Sequence, residues 1–435
     1  MRNNQFLHRL THGSVLTIFI LTLCLVACAS SGSSSVTGDN KNLILATDLP
    51  IAQAAEHDVG IAVQNGADLA VSENADLGGG YHLTVKHYDN STAAAGSHDP
   101  AQGVVNMNAI VANPQIVAVI GPFNSSVAAV EIPVVNQQDG PVLISPSNTN
   151  PGLTLQAQSA ANGMDYPTLH PATHKDFYFR IPSNDLVQGK LLASICLAST
   201  SLKGIGAKTA FVLDDNEVYG KGLATFFSNA FTAGGGTIVS TPTSISKDQI
   251  ATFSDLATTI VSLHPDLIFF GGNPGAGAGE LKQAVAAAGA PNTLWVVGDG
   301  FVNNSSWFSE AGAAASGTFG AVAGPDLKTL SAASTFVAKY QDAYKAAPLP
   351  YGAMAYDGAM IEITAMKAII ASGQSVTREA IRARVAANSY TGVTGKITFD
   401  ANGDNSGSKI FSIWAVLPTA ATKWSLEQNV DASST

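Results

Sequence analysis

Cysteine and positive charge are both scarce in this 435-residue chain. Its three cysteines are Cys24, Cys28 and Cys196, two of them close to the N-terminus, so no pair is placed to form a structural disulfide. Lys and Arg number 22 against 32 Asp and Glu, a net charge of −10, which argues against nucleic acid or an anionic lipid surface as partner. The nine histidines form no metal-ligand cluster. His170 and His174 are four apart, but Pro171 prevents a regular helix from presenting them together. The motifs G-x-S-x-G and H-E-x-x-H and a nucleophilic Cys–His context are missing, so nothing proposes catalysis, and no cofactor or metal is expected.

The N-terminus carries the clearest local signal. Arg2 and Arg9 precede an uncharged apolar run from Val15 to Ala27, too short for a comfortable membrane span and ending in Leu25-Val26-Ala27-Cys28. A basic start, a short apolar run and small residues before a cut describe a secretory signal peptide, 1–27. Cys28 behind Leu-Val-Ala resembles a bacterial lipobox, which implies cleavage before Cys28 and attachment of lipid to it. The mature chain would then be tethered to the outer face of the cytoplasmic membrane. Residues 28–42, Ser/Gly-rich and without apolar periodicity, read as a flexible tether. Cleavage removes two arginines and no acids, so the mature charge becomes −12. Cys196, in the apolar stretch Leu191–Leu197, is expected to be a buried, inert thiol.

From Leu43 onward, short β-rich runs alternate with longer Ala-rich segments of helical spacing. Strands are predicted at Leu43–Thr47, His82–Tyr88, Ile116–Ile120, Val142–Ile144, Phe177–Arg180, Thr209–Leu213, Leu267–Phe270, Leu294–Val297, Thr318–Val322 and Ile410–Val416. Helices are predicted near 56–75, 100–112, 126–138, 185–200, 219–233, 251–263, 279–289 and 331–346, within a helical region reaching 387. This alternation implies α/β architecture with parallel sheets and helices on both faces. The chain is too long for one such sheet, because single cores stop growing near about 250–300 residues. Two doubly wound parallel-sheet lobes are therefore expected. Residues 156–175, with Pro167 and Pro171, read as an irregular surface insertion.

The chain is organised around residues 116–154. Ile116–Ile120 is continuously apolar, as in a strand buried on both faces, and Gly121-Pro122 ends it. Asn124, Ser125 and Ser126 stand where a helix N-cap belongs, and Pro133 is expected to kink or shorten that helix. Val142–Ile144 then runs into the polar loop Ser145–Asn150. Ligands of open α/β sheets sit outside the carboxyl ends of the strands. A helix N-terminus there favours an anion, so the local prediction is a carboxylate site without a basic residue. Two ordinary strand–helix turns with capping serines would look the same.

Other constellations carry less. The glycine-rich run Gly271–Gly279 lacks the G-x-G-x-x-G spacing and the P-loop lysine, so it reads as a loop at the sheet edge. Asp400-Ala-Asn402-Gly-Asp404 begins like a calcium loop, but Phe411 stands where the bidentate Glu belongs, and a tight turn is predicted. Asp299, after the strand Leu294–Val297 and Gly298, could accept hydrogen bonds from an ammonium group or merely cap a helix. Tyr219 opens a helix and could line a cleft or pack on the surface.

Several short stretches, in this order, resemble the type I extracytoplasmic solute-binding proteins of ABC transporters, in particular the leucine/isoleucine/valine-binding branch. They are Val119-Ile-Gly-Pro122 with Ser125-Ser126, Pro141-Val-Leu-Ile-Ser-Pro-Ser-Asn-Thr-Asn-Pro-Gly-Leu-Thr154, Phe179-Arg180, Val218-Tyr-Gly220, Val297-Gly-Asp-Gly300, Ala355-Tyr-Asp-Gly358 and Gly392-Val-Thr-Gly-Lys-Ile-Thr-Phe-Asp400. The resemblance implies two lobes joined by a hinge of three crossings, one lobe made of 43–180 and 323–398, the other of 181–322 and 399–435. It implies that Ser125 and the loop Ser147, Asn148, Thr149 hold a ligand carboxylate. The ammonium would meet the Ser147 carbonyl, the Thr149 hydroxyl and Asp299, with Tyr219 reaching across. It also implies a monomeric receptor that delivers an amino acid to a permease driven by an ATPase. The sequence departs from the family pattern at Val59, where relatives often have an aromatic, at the 271–275 loop, which lacks a tyrosine, and in the long 156–175 insertion. A sensor of the same fold for amides, urea or aromatic acids is the alternative.

Overall fold

The structure, a computed structural model, describes residues 41–199, 205–418 and 423–432. The predicted signal peptide, Cys28 and nearly all of the tether lie outside these residues. Two sheets organise what is described. The first has six strands in the order Asp76–Gly78, Tyr81–Asp89, Asn42–Leu49, Ile116–Ile120, Val142–Ser145, Tyr178–Arg180, all parallel except the Asp76–Gly78 edge. The second has seven, in the order Thr237–Ile238, Thr209–Asp214, Leu267–Gly271, Leu294–Val297, Thr318–Val322, Ile410–Val416, Ser425–Asp431. Its first five are parallel, Ile410–Val416 runs antiparallel to them, and Ser425–Asp431 runs antiparallel to Ile410–Val416.

The central strands form where the sequence is continuously apolar. Every residue of Ile116–Ile120 and of Val142–Ile144 is 0% exposed, as strands covered by helices on both faces must be. The chain leaves the first sheet after Arg180 and the second after Val322, packs the Pro350–Ala371 helix along the His57–Ser72 helix, and crosses again before Ile410. The result is two doubly wound lobes joined by three crossings. The two packed helices touch backbone to backbone: a Cβ on Gly66 would lie 2.0 Å from the Gly352 carbonyl oxygen.

The crossings are clasped together by Arg180. Its buried guanidinium donates to both carboxylate oxygens of Asp404, at 2.7 and 3.0 Å, to the Asn150 carbonyl at 2.6 Å and to the Thr154 hydroxyl at 2.6 Å. The Arg180 amide also donates to the Gly403 carbonyl at 3.0 Å. One side chain thus joins the first crossing, the third crossing and the loop after the Val142–Ser145 strand. The predicted tight turn at 400–404 is formed, with Asp400 Oδ1 accepting from the amides of Asn402 and Asp404. Cys196 is fully buried, and burial alone pushes its thiol pKa up.

Two expectations need correction. The Ser125–Gln137 helix, close to the predicted 126–138, is not shortened by Pro133 but runs thirteen residues through it. The ring removes the hydrogen bond to the Ala129 carbonyl, and both residues lie on the half-exposed side of the helix, where solvent can replace it. The 156–175 insertion is not wholly irregular. It contains helical turns at Gln156–Ser159 and Tyr166–Leu169 and buries Ser159 and Leu169. His170 anchors it, with one ring nitrogen 2.7 Å from Asp176 and the other 2.7 Å from the Leu153 carbonyl.

Candidate functional site

The carboxyl ends of Ile116–Ile120 and Val142–Ser145 lead into the stretch singled out in the sequence. Gly121 has φ +140°, and a Cβ there would lie 2.5 Å from the Asp48 carbonyl oxygen, so the turn admits only glycine. Asn124 is the N-cap residue of the Ser125–Gln137 helix, yet its side chain makes no capping hydrogen bond. It turns away and donates to Glu56 Oε1 at 2.6 Å. The helix N-terminus, with its unpaired amides and positive dipole end, is therefore not covered by its own cap.

The facing loop is rigidly held. Ser145 Oγ donates to the Pro122 carbonyl and accepts from the amides of Ser147 and Asn148. Ser147 Oγ and Asn148 Nδ2 both donate to the Phe123 carbonyl, at 3.0 and 2.8 Å. Asn148 Oδ1 accepts from the buried Tyr178 hydroxyl at 2.9 Å, so that side chain is spent on the scaffold. Ser125 Oγ accepts from the Asn150 amide at 3.4 Å, which brings the helix start and the loop together. Ser125 and Thr149 are buried, and the Thr149 carbonyl accepts from the Asp185 amide at 2.8 Å.

Asp299 lies 5% exposed at the end of Leu294–Val297 and does not act as a helix cap. Its Oδ1 accepts from Gln188 Nε2 and from the Tyr219 hydroxyl, each at 2.7 Å, and its Oδ2 from the Tyr351 hydroxyl. Beside it stands Asp185, 0% exposed, whose carboxylate oxygens have no hydrogen bond of good geometry and only the Thr149 hydroxyl near enough to act on them. Burial, and then the Asp299 carboxylate, push the Asp185 pKa well above the usual range, with the Thr149 hydroxyl and then Arg180 offsetting part of this. Burial raises Asp299 as well, against the three donors Tyr351, Gln188 and Tyr219. Gln188 Oε1 is also buried without a partner. The site thus joins an uncapped helix N-terminus to a pair of acids that lack a cation of their own. Phe123 and Tyr351 pack edge to face between them, ring centroids 5.8 Å apart.

Ser125, the 147–149 loop, Tyr219 and Asp299 are linked through these contacts, although the side chains of Ser147 and Asn148 face inward. Val59 is buried in the first helix, on the core side. Asp185, Gln188 and Tyr351 were not singled out in the sequence. An acid at the first position of the predicted 185–200 helix was the only available signal.

The glycine loop after Leu267–Gly271 is filled by protein carboxylates. Asp215 accepts from the Asn273 amide at 2.8 Å, and Glu310 accepts from the Gly275 amide at 2.7 Å. Negative charge already on these amides works against a phosphate there. Among the described residues no group of His, Cys, Asp and Glu is arranged to hold a metal, and no helix is long and apolar enough to cross a membrane.

The two lobes face each other across this site and are bridged around it. Asn150 Nδ2 donates to the Val218 carbonyl at 2.7 Å, Asn304 Nδ2 to the Ala55 carbonyl at 3.1 Å, and Lys247 Nζ to the Ala95 carbonyl at 3.1 Å. Such a fold and cleft define a two-lobed solute-binding protein. The family model described as periplasmic binding protein matches residues 53–413, and the chain belongs to that family. It is homologous to Leu/Ile/Val-binding proteins and is not an enzyme. The Leu/Ile/Val-binding protein BraC3 of Rhizobium johnstonii is 29% identical over 296 residues, covering 67% of this chain and 70% of that protein. The leucine-binding protein LivK of Thermotoga maritima superposes with a TM-score of 0.72 at 23% identity, over 90% of this chain and all of that one. A solute-binding protein of R. palustris in complex with benzoate superposes at 0.69 with 20% identity, over 90% of this chain and 96% of that one. At these identities the structural likenesses establish the fold alone.

Proposed function

We propose that this protein is the extracytoplasmic substrate-binding component of an ABC importer. It captures a zwitterionic amino acid, most closely of the branched-chain type, and hands it to a permease driven by an ATPase. The lobes are taken as 43–180 with 323–398 and 181–322 with 399–435, and Cys28 as the lipid attachment point. The mature chain acts as a monomer, without a cofactor. The observation that carries the reading is the pair Asp185 and Asp299. Asp185, buried with only the Thr149 hydroxyl close to its carboxylate and facing a second acid, has no cation in contact with it, and a ligand α-ammonium supplies one. The ligand carboxylate then caps the Ser125–Gln137 helix, aided by Ser125 and Thr149. Phe123 and Tyr351 offer an apolar surface to its side chain. The same acids argue against a simple carboxylic acid such as benzoate, which brings no ammonium to them and adds a carboxylate to a site already short of positive charge. Names of relatives such as BraC3 support the branched-chain label.

Closure follows by population shift. A ligand touching both lobes favours the closed state by its difference in affinity for the two, and the permease recognises that state. The test is the double substitution Ser125→Ala with Thr149→Ala, measured by calorimetry against leucine, isoleucine and valine. The reading expects affinity to fall by about thirtyfold, the equivalent of two hydrogen bonds at ~1 kcal/mol each. Unchanged affinity would remove the carboxylate site.

A further inference from the structure

The edge of the cleft holds a chain of polar groups that ligand contact does not use. Glu56, 1% exposed, precedes the first helix of its lobe. One of its oxygens accepts from the His98 amide at 3.0 Å and lies 2.8 Å from His98 Nδ1. The other accepts from Asn124 Nδ2 at 2.6 Å. The second ring nitrogen of His98 lies 3.8 Å from a carboxylate oxygen of Glu217, which belongs to the opposite lobe. Glu217 is the N-cap residue of the Val218–Ala233 helix that carries Tyr219. The chain therefore runs from the ligand-facing helix of one lobe to that of the other.

Asparagine is among the best N-caps, because its side-chain oxygen accepts from the second or third amide of the helix. Asn124 has the extended backbone of a cap, with φ −95° and ψ 140°, but its side chain is held by Glu56. The pull is strong, since a carboxylate acceptor makes a hydrogen bond about twice as strong as a neutral one. A cap that is held off leaves the helix amides to an external acceptor. His98 is what makes a buried Glu56 carboxylate tolerable, and its outer nitrogen has an acid to face only when Glu217 is brought across the cleft.

We infer that Glu56 and His98 are positioning residues for solute capture: Glu56 holds Asn124 off the Ser125–Gln137 helix so that a ligand carboxylate can take the cap's place, and His98 receives Glu217 when the lobes meet. The inference rests on the reading of that helix as the carboxylate site. His98 is surrounded by Glu56, Glu217 and, more distantly, Asp215, while Lys221 acts on Glu217. Burial alone would lower the His98 pKa, but Glu56 and then Glu217 outweigh it and raise it to about 10. The imidazolium therefore stays charged between pH 6 and 9, and the link responds to salt rather than to pH in that range.

Replacing Glu56 or His98 would leave a bare charge in the interior and endanger folding, so the test uses Asn124 and Glu217. Asn124→Ser puts a strong but short cap at the position, out of reach of Glu56, whereas Asn124→Ala cannot cap. The inference expects leucine to bind Asn124→Ser about fivefold more weakly than Asn124→Ala, from the usual worth of an N-cap. A merely structural role for Asn124 predicts no such difference, and equal affinities would overturn the inference. Glu217→Gln should speed leucine dissociation and flatten its salt dependence, and wild-type kinetics would count against the link. A ligand-free arm separates this inference from the functional reading. Amide hydrogen exchange at Ser125–Val127 should be fast in the wild type and slowed in Asn124→Ser. Equal protection in both overturns the positioning role whether or not any amino acid binds, whereas a wild type that binds no amino acid sinks the functional reading.

Discussion

Replacing Asp299 by Asn separates binding from stability, and the structure fixes the sign of each effect. Asparagine keeps the size and one acceptor oxygen, so some of the contacts from Gln188, Tyr219 and Tyr351 survive. What disappears is the negative charge facing the ligand ammonium. Removing one partner of a buried ion pair costs ~3–5 kcal/mol. Because Asp185 still faces the ammonium, the lower end applies, and a loss of ~3 kcal/mol raises Kd about 150-fold. The ligand-free protein moves the other way. Asp299 has a folded pKa raised by burial. Above its unfolded pKa the folded state retains more protons than the unfolded state, so stability falls as pH rises toward the raised value, and the deficit persists beyond it. The substitution removes that penalty, so the melting temperature of ligand-free protein at pH 7.5 should stay level or rise. Calorimetry and thermal denaturation on one preparation, refolded to strip carried-over ligand, read both quantities. A Kd within threefold of wild type, or weaker binding accompanied by a lower melting temperature, would refute this reasoning.

The remaining predictions concern the scaffold and the anchor. Asp404→Asn should destabilise the protein by ~3 kcal/mol or more, because it leaves the fully buried Arg180 guanidinium without its carboxylate; denaturant unfolding measures this, and a loss below about 1 kcal/mol would contradict it. Asp48 and Glu131, the latter on the Ser125–Gln137 helix, form a second buried acid pair. Burial lifts Glu131 well above the usual range, with Asp48 adding to it, and burial takes Asp48 to about 7. Such raised acids cost stability progressively as pH rises above about 4 and through 7, so Glu131→Gln should stabilise the fold more at pH 8 than at pH 5. Equal shifts at the two pH values would count against it. Cys28→Ser should move the protein from the membrane fraction to the soluble one in cells, and continued tight association would mean that the apolar start is retained as an anchor.

Much of the architecture was legible because parallel strands buried on both faces must be continuously apolar. Ile116–Ile120, Leu294–Val297 and Thr318–Val322 have the bounds read from the sequence, as does the antiparallel Ile410–Val416. The strands that escaped detection lie at edges. Ser425–Asp431, SLEQNVD, has one half-exposed side and pairs with a single neighbour, so nothing in its composition forces a strand. The hairpin Ser389–Gly392 with Gly395–Thr398 stands apart from both main sheets for the same reason.

The candidate site was legible in its local parts and opaque in its pairings. The helix start with its candidate cap residues, the polar loop and an acid at a strand end are short-range features. That Asn124 serves Glu56 rather than its own helix depends on residues 68 positions apart. That Gln188 reaches Asp299 spans 111 positions, and that Tyr351 does so requires the second crossing to return the chain to the first lobe. Two basic residues that the sequence reading did not connect with the candidate site, His98 and Arg180, are held near it by Glu56 and by Asp404. Neither connection has a signature in sequence spacing.

The central claim is that the cleft requires both an ammonium and a carboxylate. Calorimetric titration of refolded protein from Lys41 onward with leucine, with 4-methylpentanoate and with isoamylamine tests it most directly. The account predicts tight binding of leucine, with each single-charge analogue weakened at least about a hundredfold, since each leaves a buried charged or polar group unpaired. Binding of 4-methylpentanoate or benzoate as tight as that of leucine would contradict it.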